Sequence, residues 1–158
     1  MDKNQLEPLL RQHHQAAFFW ALQLCRYQDD SAREVLQMTY LKILENKARY
    51  NQQSSFKTWL FSVIRFTAFD FLKNQRHHGS LEHLEIADDT PALETELDLV
   101  PFLKKLPERQ QQVLLLAFYH DLSLSAIAEV LDLHVGSVRT HYQRGKDGLR
   151  TLLKPIRS

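Results

Sequence analysis

Residues 122–148 read LSLSAIAEVLDLHVGSVRTHYQRGKDG, two short amphipathic stretches separated by one tight turn. Ile127, Val130 and Leu131 give the first stretch a small apolar face, and DLHV (132–135) turns the chain. Val138, Tyr142, Leu149 and Leu152 then supply the inner face of a second helix. This is the helix-turn-helix pattern. The outer side of the second helix carries Ser137, Arg139, Thr140, Gln143 and Arg144. Arginine can fork onto guanine acceptors, glutamine can pair with adenine, and threonine offers a hydroxyl or a methyl group. Lys146 and Arg150 can neutralise phosphates. A helical hairpin with a merely solvated basic face has the same pattern, so the stretch alone leaves both readings open. Gly145 inside a helix costs about 1 kcal/mol relative to alanine, which points to a close helix contact there.

Outward from that stretch, the last block holds four expected helices, about 97–105, 107–119, 124–131 and 136–153. Pro107 suits a first helical turn, where a missing N–H costs nothing. The first block has no glycine before Gly79 and no proline between Pro8 and Pro91, so it reads as helices joined by short polar turns. Three are expected, about 4–27, 31–47 and 55–76. Leu6, Leu10, Ala17, Trp20 and Leu24 recur at helical spacing in the first. Val35, Thr39 and Ile43 mark one side of the second, with Leu36, Tyr40 and Leu44 beside them. Phe56, Trp59, Leu60, Val63, Thr67 and Phe71 form a stripe on the third. No segment alternates as a strand does. The expected fold is all-α: two small helical domains, 1–76 and 97–158, joined by an acidic, flexible linker at 77–96.

Charge supports that division. The 158 residues carry a formal net charge of +1. Residues 1–78 hold eleven Lys/Arg against seven Asp/Glu, and residues 100–158 nine against five. Between them, residues 79–99 hold no Lys/Arg and seven acids: Glu82, Glu85, Asp88, Asp89, Glu94, Glu96 and Asp98. Two mildly basic blocks therefore flank an acidic connector. The longest apolar run, VLLLAFY (113–119), is too short to span a bilayer, and the N-terminus lacks a secretion signal. Cys25 is the only cysteine and sits among apolar neighbours, as a core thiol does. A cytoplasmic protein with no membrane insertion is expected.

Three segments occur in order: DDSAREVLQMTYLKIL (29–44), SSFKTWLFSVIRFTAFDFLKNQR (54–76) and LPERQQQVLLLAFYHDLSLSAIAEVLDLHVGSVRTHYQRGKDGL (106–149). LPERQ…VLLL, LS…IAEVL and F-x-TWL are each moderately specific, and their order and spacing are more so. Together they resemble the extracytoplasmic-function sigma factors, compact two-domain sigma subunits of bacterial RNA polymerase, over nearly all of the chain apart from the linker. The resemblance implies that Glu34, Val35, Leu36, Gln37 and Met38 dock on the clamp helices of the polymerase β′ subunit. It implies that the third helix and its preceding loop melt and read the downstream promoter element. The helix-turn-helix would read the upstream, minus-35 element and rest on the β flap, with Arg139, Thr140, Gln143 and Arg144 facing bases. The linker would thread toward the RNA exit path. With no sensory domain expected after the recognition helix, control would come from an anti-sigma partner. Three positions depart from the family pattern: Met38 replaces a frequent acid, His134 a usual N-cap residue, and Phe66 a frequent asparagine near the strand-separating surface.

Independently of the family, the third helix interleaves Phe61, Arg65, Phe66, Phe69, Lys73 and Arg76 off its core stripe. Rings stack on unpaired bases while cations follow a backbone, which suits single-stranded DNA. Phe66 and Phe69 could equally complete a small core. Other chemistries find less support. The cluster HHGSLEH (77–83) has no cysteine partner, so no metal or other cofactor is expected. His13 and His14 are adjacent on a helix and should point different ways. No phosphate loop, nucleophile elbow or HExxH helix occurs, so no catalytic residues are expected. A stand-alone helix-turn-helix regulator is the alternative, but it would need a dimer interface for two half-sites, and no heptads supply one. A protein that only sequesters a partner would bind neither polymerase nor DNA.

Overall fold

The computed structural model describes residues 2–77 and 99–157, without the side chains of 76–77 and 155–157. Within them lie seven helices and no strand: α1 (Lys3–Leu24), α2 (Asp29–Leu44), α3 (Phe56–His77), α4 (Val100–Leu103), α5 (Glu108–Phe118), α6 (Leu124–Leu131) and α7 (Val135–Arg157). The fold is all-α, in two compact units, Met1–Asp89 and Thr90–Ser158. Beyond His77, the expected connector at 77–96 lies outside the described residues.

In the first unit, Asp2 and Gln5 form a capping box: Asp2 Oδ1 accepts from the Gln5 N–H at 3.0 Å, and Gln5 Oε1 accepts from the Asp2 N–H at 3.1 Å. This reciprocal pair satisfies donors that the first turn leaves without helical partners. The helix stops at Leu24, earlier than the expected 27, because Arg26 and Tyr27 adopt positive φ of 53° and 64°. Helix α3 starts where Ser55 Oγ accepts from the Thr58 N–H at 3.1 Å. The three helices share a core of Leu10, Ala17, Trp20, Val35, Ile43, Leu60, Phe61 and Ile64, all buried. Thr39 and Thr67 are also fully buried, and each hydroxyl donates to the carbonyl four residues back at 2.8 Å, so neither polar group is stranded.

In the second unit, α5 packs on α7 around Leu103, Leu106, Leu114, Leu115 and Leu149, with Phe102, Tyr119 and Tyr142 against them. The close contact expected at Gly145 is present. A Cβ there would lie 3.0 Å from Leu114 Cδ1 and 3.1 Å from its Cγ, and one at Gly148 would lie 2.9 Å from Leu106 Cδ2. The absent methyl at Gly145 lets α7 approach α5, while Gly148 faces a residue of the turn before α5. Helix α4 is one turn, shorter than the expected 97–105, and turn residues 104–106 carry the chain to Pro107. Helix α7 runs four residues beyond the expected 153.

Candidate nucleic-acid interface

The turn between α6 and α7 is built by local hydrogen bonds. Ser123 caps α6, its Oγ accepting from the Ala126 N–H at 3.1 Å. At the other end Asp132 takes a left-handed conformation, φ 55° and ψ 51°, and the Leu133 N–H returns to the Ala128 carbonyl at 2.9 Å. That residue reverses the chain at the end of α6. His134 stands before α7, and its carbonyl accepts from the Val138 N–H at 3.1 Å. Ile127, Val130, Leu131 and Val138 are buried, fixing α6 against α7.

With that face buried, the opposite face of α7 is presented to solvent. Ser137, Arg139, Thr140, Gln143 and Arg144 are all exposed and Lys146 is half-buried. Among the described residues, Arg139 and Arg144 enter no ion pair, so their guanidinium forks stand open. Thr140 donates its hydroxyl to the Gly136 carbonyl at 3.1 Å, leaving its methyl and lone pairs outward. The Lys146 ammonium lies over the Tyr142 ring, 4.6 Å from its centroid, and that ring tilts against Phe118, 6.1 Å away. Arg150 is exposed and reaches Asp147 at 3.4 Å.

On α3 the expected aromatic face divides. Phe66 and Phe69 are 56% and 63% exposed, which removes the core alternative for both. With exposed Lys73 they follow i, i+3, i+7 spacing, so two rings and a cation lie on one side of the helix. Arg65 is half-buried, and the Arg76 side chain lies outside the described residues. Phe61 must be withdrawn from this face. It is fully buried and stacks on Trp20, with ring centroids 5.8 Å apart and planes 4° from parallel. One turn of helix cannot present Phe61 to the core and also align it with Phe66.

The α2 segment 34–38 also divides. Five consecutive residues span more than a full turn and cannot share one face. Glu34 and Gln37 are exposed, and Met38 is half-buried. Val35 is fully buried and supports the core rather than a contact, while Leu36, 3% exposed, reaches only the floor of a groove between α1 and α2. That groove, about 390 Å³, is lined by His14, Phe18, Arg33, Leu36, Gln37, Tyr40, Leu41 and Leu44. Sequence reading passed over Leu41, which is 48% exposed; an apolar residue between Tyr40 and Lys42, off the buried stripe, was the available signal. Tyr40 Oη pairs with His14 Nδ1 at 2.8 Å, and burial pushes the phenol up to about 12. His13 turns instead to the Phe56 ring, 5.6 Å away; burial, with a contribution from Lys57, lowers its pKa.

Cys25 is buried, and desolvation raises its thiol to about 12, leaving no thiolate for chemistry at ordinary pH. Among the described residues no three His, Cys, Asp or Glu side chains gather as metal ligands; most of HHGSLEH lies outside them. Among the described residues, no helix is long and apolar enough to cross a membrane.

Comparison with known proteins agrees with this division. Residues 9–78 match the family described as Sigma-70 region 2, and residues 99–147 match Sigma-70, region 4. The chain is 27% identical to the RNA polymerase sigma factor SigV of Bacillus subtilis over 156 residues, covering 96% of this chain and 92% of that protein. It is 24% identical to the ECF RNA polymerase sigma factor SigW of the same organism, covering 79% and 76%. In fold it is similar to the sigma factor RpoE, solved in complex with the anti-sigma factor NepR from Bartonella quintana. That likeness has a TM-score of 0.78 at 22% identity over 95% of this chain and 97% of that one. It is also similar to CnrH in complex with the cytosolic domain of CnrY, with a TM-score of 0.67 at 19% identity, covering 98% and 90%. With a region 2 unit bearing two open aromatic rings and a region 4 unit bearing a basic helix-turn-helix, the chain belongs to the extracytoplasmic-function sigma factors of bacterial RNA polymerase.

Proposed function

We propose that this protein directs core RNA polymerase to a specific set of promoters, reading the upstream element through α7 and opening the downstream element with α3. The observation that carries the reading is the pairing, on one chain, of an exposed basic recognition helix with an exposed Phe66–Phe69–Lys73 face. The first suits the major groove of duplex DNA. The second suits unstacked bases and their backbone. A stand-alone helix-turn-helix regulator would use the first and leave the second without a role.

On this reading Arg139, Thr140, Gln143 and Arg144 meet base edges, while Lys146 and Arg150 meet phosphates. Phe66 stacks on an unpaired base. Glu34, Gln37 and Met38 on α2, with the neighbouring groove, face the polymerase clamp, and the second unit rests on the β flap. The protein supplies recognition and strand opening, and bond formation belongs to the polymerase. It acts in the cytoplasm, on the nucleoid. By likeness to RpoE, held by an anti-sigma factor, a protein that covers the polymerase-facing surfaces would regulate it. In vitro transcription on genomic DNA, with core enzyme and with or without this protein, tests the reading. New, shared start sites that require the protein are expected; an unchanged start-site map overturns it.

A further inference from the structure

We propose that Asp147 is a positioning residue for sequence reading, holding the Gln143 side-chain amide in the orientation that meets an adenine. The inference rests on the reading above that Gln143 faces base edges. Gln143 Nε2 donates to Asp147 Oδ1 at 3.3 Å, and Arg150 donates to the same oxygen at 3.4 Å. The three residues sit at i, i+4 and i+7 along exposed α7, so one carboxylate oxygen is engaged from both sides.

The chemistry of the amide gives this arrangement its consequence. Glutamine carries an acceptor oxygen and an NH₂ group with two donors, and an unheld amide can turn either end outward. Pairing with adenine needs one N–H and the carbonyl oxygen together, toward N7 and the N6 amino group. A carboxylate only accepts, so Asp147 selects the nitrogen end of Gln143 and takes one of its two hydrogens. The other hydrogen and Oε1 are left for the base. Arg150 meanwhile offsets the negative charge that Asp147 would otherwise bring near phosphates. In water these exposed bonds are weak. They strengthen when the groove excludes solvent, which is when orientation matters.

The test uses the full chain reconstituted with core RNA polymerase, selecting from a pool of randomised duplex DNA that is then sequenced. Wild type is expected to prefer adenine at one position, and Gln143→Ala should abolish that preference. Asp147→Ala should weaken the same preference roughly three- to tenfold and leave the other positions intact. Asp147→Asn should largely restore it, since its Oδ1 still accepts, while tightening binding to all sequences alike through the lost negative charge. Circular dichroism on each variant verifies that α7 is formed. If Gln143→Ala removes a base preference that Asp147→Ala leaves whole, the positioning role is overturned and the reading of α7 stands. Tighter binding of Asp147→Ala to all sequences alike is expected from the lost charge; if that is its sole effect and the adenine preference is whole, the positioning role is overturned. If Gln143→Ala alters no position, both the inference and the base-facing role of Gln143 fall.

Discussion

The Trp20 indole lies flat on the Phe61 ring and its Nε1 donates to the Phe61 carbonyl at 3.2 Å, so one residue pair joins α1 to α3 twice. Both rings are fully buried. Phe61→Ala should therefore destabilise the first unit by about 3–5 kcal/mol. Phe66→Ala, at a half-open ring, should stay within about 0.5 kcal/mol. The two tryptophans, Trp20 and Trp59, both lie in the first unit, so denaturation followed by tryptophan fluorescence reports that unit alone. Equal losses in the two variants would contradict the placement.

Open-complex formation should show the reverse order of sensitivity among folded proteins. Phe66→Ala and Phe69→Ala should each slow strand opening, because a base stacked on an aromatic ring contributes about 1–3 kcal/mol. Permanganate footprinting on a promoter mapped for this protein measures it. Full opening by the double variant at the wild-type rate would exclude both rings from the step.

On α7, Arg144→Ala should weaken promoter binding by about 1–3 kcal/mol and relax one base position. Lys146→Ala should instead weaken matched and scrambled duplexes alike and lower the slope of log affinity against log salt. Identical behaviour of the two variants across a salt series would mean that the base-facing and phosphate-facing sides are misassigned.

Gly145 and Gly148 should respond differently to alanine, although each substitution gains about 1 kcal/mol in helix propensity. At Gly145 the new methyl meets both Cγ and Cδ1 of Leu114, a side chain with no exposure and no room to turn. A net loss of stability is expected. At Gly148 it meets only the Cδ2 tip of Leu106, at the core's edge, 9% exposed, so that variant should be neutral or more stable. Thermal melting by circular dichroism decides, with the tryptophan transition unmoved in both.

Alkaline stability should fall along a course set by two acids, the buried Cys25 and the half-buried Tyr40. Folding raises Cys25 from 9.0 to about 12 and Tyr40 from 10.0 to about 12. In each case the unfolded chain loses its proton first, so above pH 9 the unfolded state binds fewer protons and the folding free energy declines as pH rises toward 12. Cys25→Ala should flatten the first part of that decline in denaturation measured from pH 8 upward. A thiol-alkylating reagent should label Cys25 only after unfolding.

Helix positions were legible in the sequence because breakers and 3.6-residue spacing fix them locally. The outer face of α7 was legible for the same reason: its inner positions are strongly apolar, so the remainder must face out. Phe61 was misread because α3 packs on both α1 and α2, and a helix with two neighbours buries a wider arc than one stripe. Nothing local to Phe61 says that Trp20 is waiting. Val35 and Leu36 were assigned to a docking surface by likeness over a continuous segment, and helical geometry divides any such segment between two faces. Asp147 escaped notice because acids on a DNA-reading helix look like solubilising residues until Gln143 is seen bonded to one. The i, i+4 spacing was the readable sign.

The two sides of α7 make separate demands on the sequence. Gly145, Val138 and Leu149 secure the helix to its neighbours, whereas Arg139, Thr140 and Arg144 touch none of that packing. A lineage or a protein engineer could therefore exchange the outward letters without relearning how to build the scaffold. Duplicated copies of such a gene could diverge to unrelated sets of promoters by few substitutions, each tolerated structurally on the day it arises.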